Sequence, residues 1–271
     1  MEYKLIACDM DATALDTQKR LSPKTAAAME KAIARGKHVV FSTGRNICIV
    51  RPYMEMVSGM RYAVTSAGAA VNDILTGQRL CEDTIDAETV KWIICQAAGT
   101  DVLPVMYIGD TAVCPAWAPQ RAAEFGVPDF AETYRRYMRH ANDVFDLFMQ
   151  DPVPLQKMNL LFADRESRDE VYDRIKLLPI GFTNLTDTIM EINAPGVTKA
   201  GGLKRLCAQL GISMAECIAV GDSDNDLEVM RASGLAVAMG NANAAAKAAA
   251  QETVSDCDHD GCCEAIERFL L

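Results

Sequence analysis

Tyr3-Lys4-Leu5-Ile6-Ala7-Cys8-Asp9-Met10-Asp11-Ala12-Thr13 opens the chain with an apolar run that ends in two aspartates one residue apart. The run reads as a buried strand, so Asp9, Asp11 and Thr13 fall just past its carboxyl end. In open α/β sheets, ligands bind at that edge. Two carboxylates held so close repel one another and call for a shared cation or proton. The stretch thus predicts both an α/β fold and a site at one edge of its sheet.

Outward from this strand the alternation continues. Ser22-Pro23 supplies an N-cap and a first-turn proline for a helix over residues 23–35, with Gly36 as its stop. A second buried strand, His38-Val39-Val40-Phe41, runs into Ser42-Thr43-Gly44-Arg45. A helix to about residue 56 and a third strand, Tyr62-Ala63-Val64-Thr65, follow. This order predicts a parallel sheet with right-handed crossovers.

The last third returns to the same rhythm. Lys199 opens a helix that stops before Gly211, and Cys217-Ile218-Ala219-Val220 is a strand ending in Gly221-Asp222. A helix carrying Leu227 and Met230 precedes the short strand Leu235-Ala236-Val237-Ala238. The Ala-rich stretch 241–251 is expected to be helical throughout, because alanine is the best helix former. Residues 83–188 have another character. Candidate helices near 87–98 and 166–177 mix with apolar runs at 102–108 and 159–162, with a further run at 189–192. Pro104, Pro115, Pro119, Pro128, Pro152 and Pro154 punctuate the region. The expected organisation is a core of residues 1–82 and 189–271, with an α+β module of residues 83–188 inserted into it.

The 271 residues are half hydrophobic and a quarter charged, as in a soluble globular protein with a full core. The net charge of −10 argues against nucleic acid or an anionic membrane as a partner. It leaves room for a small phosphorylated molecule, since a metal and local cations invert the potential inside a site. No apolar run approaches a membrane span, and the N-terminus enters a strand without a signal peptide's basic start. Ten cysteines without an export signal point to reduced thiols and a cytoplasmic protein. Cys8, Cys95, Cys207 and Cys217 fall in apolar segments. The tail Cys257-Asp258-His259-Asp260-Gly261-Cys262-Cys263 matches no common zinc spacing and is expected to be a loop leading into the last helix.

Four polar clusters fall at carboxyl ends of expected core strands or at the start of a core helix. They are Asp9-Asp11-Thr13, Thr43 with Ser42 and Arg45, Lys199, and Gly221-Asp222-Ser223-Asp224-Asn225-Asp226. A parallel sheet brings such ends to one edge. Three or more carboxylates bind a hard cation, and Mg²⁺ suits a site that also holds a phosphate and waters. A hydroxyl and an ammonium can hold phosphate oxygens, and a carboxylate without metal duty can act as nucleophile or as acid and base. The three histidines, His38, His140 and His259, lie away from these clusters, which disfavours a histidine base or a His-rich zinc site. Absence of Gly-x-Ser-x-Gly, Gly-x-Gly-x-x-Gly and Walker patterns counts against serine hydrolases, dinucleotide oxidoreductases and P-loop NTPases.

In order and spacing these residues resemble the haloacid dehalogenase (HAD) superfamily, and within it the Cof-type phosphatases with a C2 cap. Asp9-Met10-Asp11-Ala12-Thr13 is similar to motif I, Phe41-Ser42-Thr43-Gly44-Arg45 to motif II, and Gly196-Val197-Thr198-Lys199 to motif III. Gly221-Asp222-Ser223-Asp224-Asn225-Asp226 is similar to motif IV. Met239-Gly240-Asn241-Ala242 and the Asp258-to-Gly261 loop extend the likeness. It implies a Rossmann-like parallel-sheet core with an inserted α+β (C2-type) cap, and a Mg²⁺-dependent phosphatase of a small phosphorylated metabolite.

The roles that the resemblance implies fall on particular residues. Asp9 would attack phosphorus and form an aspartyl phosphate. Asp11 would protonate the leaving alcohol and later activate water. Mg²⁺ would sit on the Asp9 carboxylate, the Asp11 backbone carbonyl and Asp222. Thr43, Lys199 and Asn225 would bind the phosphoryl group, and Asp226 would orient Lys199 or a metal-bound water. For Arg45 a phosphate contact and a structural ion pair both remain open. Asp224 is expected to be a solvated helix-start carboxylate, and Tyr134-Arg135-Arg136-Tyr137-Met138-Arg139-His140 a solvated helix face.

Two departures from the family pattern stand out. Ala12 occupies the usual glycine position, and Ser66-Ala67-Gly68-Ala69 replaces Asn-Gly-Ala. A phospho-ligand binding or regulatory protein without catalysis, and a phosphomutase, are the alternative functions. The substrate, sugar phosphate or phosphorylated cofactor, is not specified by these residues.

Overall fold

A computed structural model describes residues 2–271, which divide into two compact units. One comprises the residues up to Arg45, Val50–Cys81 and Thr198–Leu271. The other comprises Asn46–Ile49 and Glu82–Val197. Strands β1 (Leu5–Cys8), β2 (His38–Ser42), β3 (Tyr62–Thr65), β4 (Ala70–Asp73) and β5 (Gln78–Glu82) come first. Then follow β6 (Val102–Ile108), β7 (Thr111–Pro115), β8 (Arg139–Ala141), β9 (Lys157–Phe162), β10 (Gly181–Leu185) and β11 (Ile189–Asn193). The last three are β12 (Cys217–Gly221), β13 (Leu235–Ala238) and β14 (Glu252–Thr253).

In the first unit the strand order is β14-β13-β12-β1-β2-β3-β4-β5. From β14 to β3 the pairing is parallel, and β4 returns antiparallel to β3. Central β1 is buried along its whole length, which is why its sequence is apolar without alternation. The helix Pro23–Ala34 buries Thr25, Ala28, Met29 and Ala32, one stripe at helical spacing, and the Ser22 side chain accepts from Thr25 N as its N-cap. Lys199–Leu210 is capped by Thr198, whose side chain accepts from Gly201 N, and ends at Gly211 with φ 67°.

In the second unit the order is β10-β11-β9-β6-β7-β8, antiparallel except for the β7–β8 pair. Both faces are covered. Met106, Met158, Leu160 and Ile192 pack with residues of the helices Ala87–Ala97 and Arg165–Ile175, while Leu103, Val105 and Tyr107 pack with Phe125 and Tyr134. The switch between adjacent β6 residues follows the two-residue period of a strand.

Several expectations are corrected. The strand at 189–193, expected to begin the returning core, pairs with β9 and β10, so the second unit runs to Val197. Pro104 lies inside β6, where proline keeps its carbonyl and removes one ladder donor, so it does not interrupt the strand; Pro115 is the last residue of β7. The Ala-rich helix spans only Ala244–Ala249. The Asn243 side chain caps its start, and Gln251 N donates to Ala236 O, drawing the chain into the sheet. Cys95 is exposed, and within the basic cluster Tyr134 is buried while Arg139 and His140 lie on edge strand β8. The tail forms a short turn at Cys257–His259 and the helix Gly261–Phe269. Among the described residues no helix is long and apolar enough to cross a membrane.

Candidate active site

Beyond β1 the chain makes one wide turn. Asp9 N donates to Val220 O (3.0 Å), while Ala14 N and Leu15 N donate to Asp9 O and Met10 O, five residues back. Ala12 takes φ 53° and ψ 17°, the left-handed region that costs a non-glycine residue about 1–2 kcal/mol. Asn241 supports the turn by donating its Nδ2 to Ala12 O (2.8 Å), and its Oδ1 accepts from Cys257 N.

This turn sends the two aspartates to different partners. Asp9 is buried, with its Oδ1 2.9 Å from Lys199 Nζ. Lys199 reaches there from the first residue of its helix and also meets Asp226 Oδ1 at 2.8 Å. The other Asp226 oxygen accepts from the backbone N–H groups of Asp222 and Ser223. A Cβ on Gly221 would lie 2.5 Å from the Asp226 carboxylate, so glycine there is what lets Asp226 fold back against the strand end. Asp222 in turn accepts from Thr13 Oγ1 at 3.0 Å. One carboxylate oxygen from each of Asp9, Asp222 and Asp226 lies within 4.8 Å of the others, and this is the metal-competent acidic group among the described residues.

Asp11 turns elsewhere. Arg45 grips it with two bonds, Nε to Oδ2 (2.8 Å) and Nη2 to Oδ1 (2.6 Å), and Lys19 Nζ lies 2.8 Å from Oδ1. Arg45 is therefore an ion-pair partner of Asp11. It is linked to Thr43 through its backbone N–H, which donates to Thr43 Oγ1 (3.2 Å). Thr43 itself is buried and anchored by its own N–H on Val64 O. Asn225 is exposed and accepts from Ser223 Oγ, and Asp224 accepts from Asn243 Nδ2.

The electrostatics follow these contacts. Burial pushes the Asp9 carboxyl up to about 7; Lys199 opposes this, while Asp226 and Asp11 add to it. Burial and the nearby Asp226 raise Asp222 to about 6. For Asp11, burial acts upward too, but the charges and hydrogen bonds of Arg45 and Lys19 win and hold it far below the usual carboxylate range. Lys199 moves upward: burial disfavours its charge, and Asp226 and Asp9 more than compensate. Carboxylates that are costly to ionise side by side, with oxygen donors only, suit a hard divalent cation such as Mg²⁺ and not a thiolate-seeking metal.

Asp9, Lys199, Asp222 and Asp226 thus come together as one group, with Asp11 and Arg45 beside it as a pair. Lys19 and Asn241 complete the arrangement and were not singled out from the sequence. Lys19 lies in a polar turn without any periodic signal, and only the likeness around residues 239–242 pointed to Asn241.

The sequence profile of the haloacid dehalogenase-like hydrolases matches residues 6–266. Over 276 residues the chain is 26% identical to the 5-amino-6-(5-phospho-D-ribitylamino)uracil phosphatase YcsE of Bacillus subtilis (strain 168), covering 100% of this chain and 97% of that protein. It is 27% identical to the HMP-PP phosphatase of Serratia proteamaculans (strain 568) over 248 residues, 89% of this chain and 85% of the relative. A solved haloacid dehalogenase-like hydrolase from Bacteroides thetaiotaomicron superposes with a TM-score of 0.85 at 25% identity, covering 98% of this chain and 99% of the other.

Proposed function

The chain belongs to the haloacid dehalogenase-like hydrolases, and on that footing we propose that it is a Mg²⁺-dependent phosphatase of a small phosphorylated metabolite. A sugar phosphate or a phosphorylated cofactor precursor is the class of substrate, in keeping with the phosphatase names of its relatives. One observation carries the mechanism: two aspartates one residue apart have opposite surroundings. Asp9 lies among carboxylates and on Lys199, whereas Asp11 is turned to two cations.

Asp9 is the nucleophile and takes the phosphoryl group as an aspartyl phosphate. Asp11, ionised between Arg45 and Lys19 in this arrangement, takes a proton from the hydrolytic water, and it gives one to the leaving oxygen only after turning from those cations and being protonated. Lys199, fixed by Asp226, supplies positive charge to the phosphoryl oxygens, and the buried Thr43 hydroxyl contributes a further contact at the neighbouring strand end. Asn225 stands at the exposed end of the fourth motif, where a rotation of its side chain from Ser223 would free it for phosphate. Mg²⁺, held by Asp9, Asp222 and the Asp11 backbone carbonyl with Asp226 close by, would offset charge between the nucleophile and its anionic substrate.

Wild-type protein should hydrolyse 4-nitrophenyl phosphate only with Mg²⁺ present. Asp9→Asn should abolish that hydrolysis while leaving the far-ultraviolet spectrum unchanged. Undiminished turnover by this variant would overturn the mechanism.

A further inference from the structure

We propose that the turn Ser66–Gly68 fixes the spacing between Thr43 and Lys199, and that Arg205 is the positioning residue that clamps it. The proposal rests on the reading of Thr43 and Lys199 as groups that hold the phosphoryl oxygens.

Those two groups stand on separate elements, one just past β2 and the other in the first turn of the helix Lys199–Leu210. The turn Ser66–Gly68 follows β3 and meets both. On one side its backbone holds the Thr43 segment, with Ser66 N donating to Arg45 O (2.8 Å) and Ala67 N to Thr43 O (3.0 Å). On the other it lies directly against the helix start. A Cβ on Gly68 would fall 1.9 Å from Thr198 O and 3.0 Å from Lys199 N, and one on Gly202 would fall 2.9 Å from Gly68 Cα. Arg205, from the same helix, closes this contact by donating its Nη2 to Gly68 O (2.8 Å).

The backbone of this turn is strained. φ is 52° at Ser66, 61° at Ala67 and 101° at Gly68, and the first two residues carry a Cβ, which disfavours that region. Glycine or asparagine would make the same reversal more easily. Ser66 and Ala67 are both buried, so neither side chain is kept there for contact with water. Strain of this kind persists only where the surroundings over-determine it, and here the surroundings are two segments of the site. The Cβ atoms also narrow the conformations open to the backbone, so the turn keeps one shape where glycine would allow several. A stiff spacer suits two groups that must meet one phosphoryl group, because both engage it only when their separation is right.

Arg205→Met keeps much of the side chain's length and removes the clamp, while Gly202→Ala drives a wedge between helix and turn. Initial rates with 4-nitrophenyl phosphate, and inhibition by orthovanadate and by inorganic phosphate, are read beside melting temperatures. Bound vanadate takes a five-coordinate form like phosphorus in transfer and demands both groups in register, whereas phosphate tolerates a looser fit. In Arg205→Met we expect kcat to fall about fivefold and vanadate inhibition to weaken by a similar factor, with KM and phosphate inhibition within about twofold of wild type. Gly202→Ala, where it folds, should show the same pattern, and Arg205→Lys should restore most of both losses. A merely structural role would lower the melting temperature and leave these constants alone. That result in Arg205→Met would overturn the proposal whatever the wedge does, and so would an equal weakening of vanadate and phosphate. Wild-type protein that hydrolyses no ester would instead strike the phosphatase reading, and this proposal with it.

Discussion

At the carboxyl edge of the first sheet, the carboxylates of Asp9, Asp11, Asp222 and Asp226 meet the cations of Lys199, Arg45 and Lys19. In the six-stranded sheet of the second unit, Lys157 is just as deeply buried, yet it meets Glu191 in a pair, with the Tyr107 ring 5.5 Å from its ammonium. Both regions bury lysine, but only the first gathers three carboxylates around one point. A matched pair satisfies its own desolvation and can serve packing alone. Burial, with the neighbouring carboxylates adding to it, raises Asp9 and Asp222 toward neutrality, and a further positive charge offsets that cost.

Removing each buried lysine would break this comparison most directly. Lys199→Met leaves Asp9 and Asp226 without their shared cation. It should lower kcat for 4-nitrophenyl phosphate roughly 10²–10³-fold and destabilise the metal-free protein by about 3 kcal/mol. Lys157→Met should cost about 2 kcal/mol, less because Glu191 keeps some contact with water, and should leave that kcat within about twofold. Adding Glu191→Leu to it should recover part of the stability. Denaturant melts and initial rates on the same preparations decide the matter. A collapse of turnover in the Lys157 variant would erase the distinction between the regions.

Acidity sharpens the comparison in a second way. Asp9 and Asp222 are raised to about 7 and about 6 from an ordinary 3.8, so without metal the folded state holds protons that the unfolded chain has lost. By linkage, these two groups make the metal-free protein less stable as pH rises from about 4 to about 7. Mg²⁺ competes with those protons, so its stabilising effect should be small at pH 5 and larger at pH 8. Melting temperatures with and without excess Mg²⁺ at the two pH values measure this. An equal gain at both would remove these carboxylates as the metal's ligands.

How much of this could be read beforehand depended on the range of the forces involved. The Lys199–Leu210 helix has its cap at Thr198 and its stop at Gly211, both local signals, and its limits agree with the reading. Strand β1 was legible because a central parallel strand is apolar on both faces. The boundary near 189 was misplaced because an apolar run shows that a strand is buried, without showing which sheet it joins. The Ala-rich segment was overextended because propensity cannot register the pull of Ala236 on Gln251. In the site, residue type and order pointed to the gathering of Asp9, Lys199, Asp222 and Asp226. The grip of Arg45 and Lys19 on Asp11 was not legible, since it joins residues with no common period.

Ala12 offers the smallest effect and the finest probe of the first region. Its left-handed backbone is disfavoured for a residue with a Cβ, while the Asn241 amide holds its carbonyl at 2.8 Å. Ala12→Gly removes the strain but adds freedom to the unfolded chain, and these effects partly cancel. The net gain should be about 0.5 kcal/mol, seen as a small rise in denaturant midpoint with an unchanged slope. Because the turn already has the shape that glycine would adopt, kcat should stay within about twofold of wild type. A large rise in kcat would mean that the methyl group holds Asp9 and Asp11 away from their working positions. The two surroundings of the aspartate pair would then belong to a strained turn and not to the active arrangement.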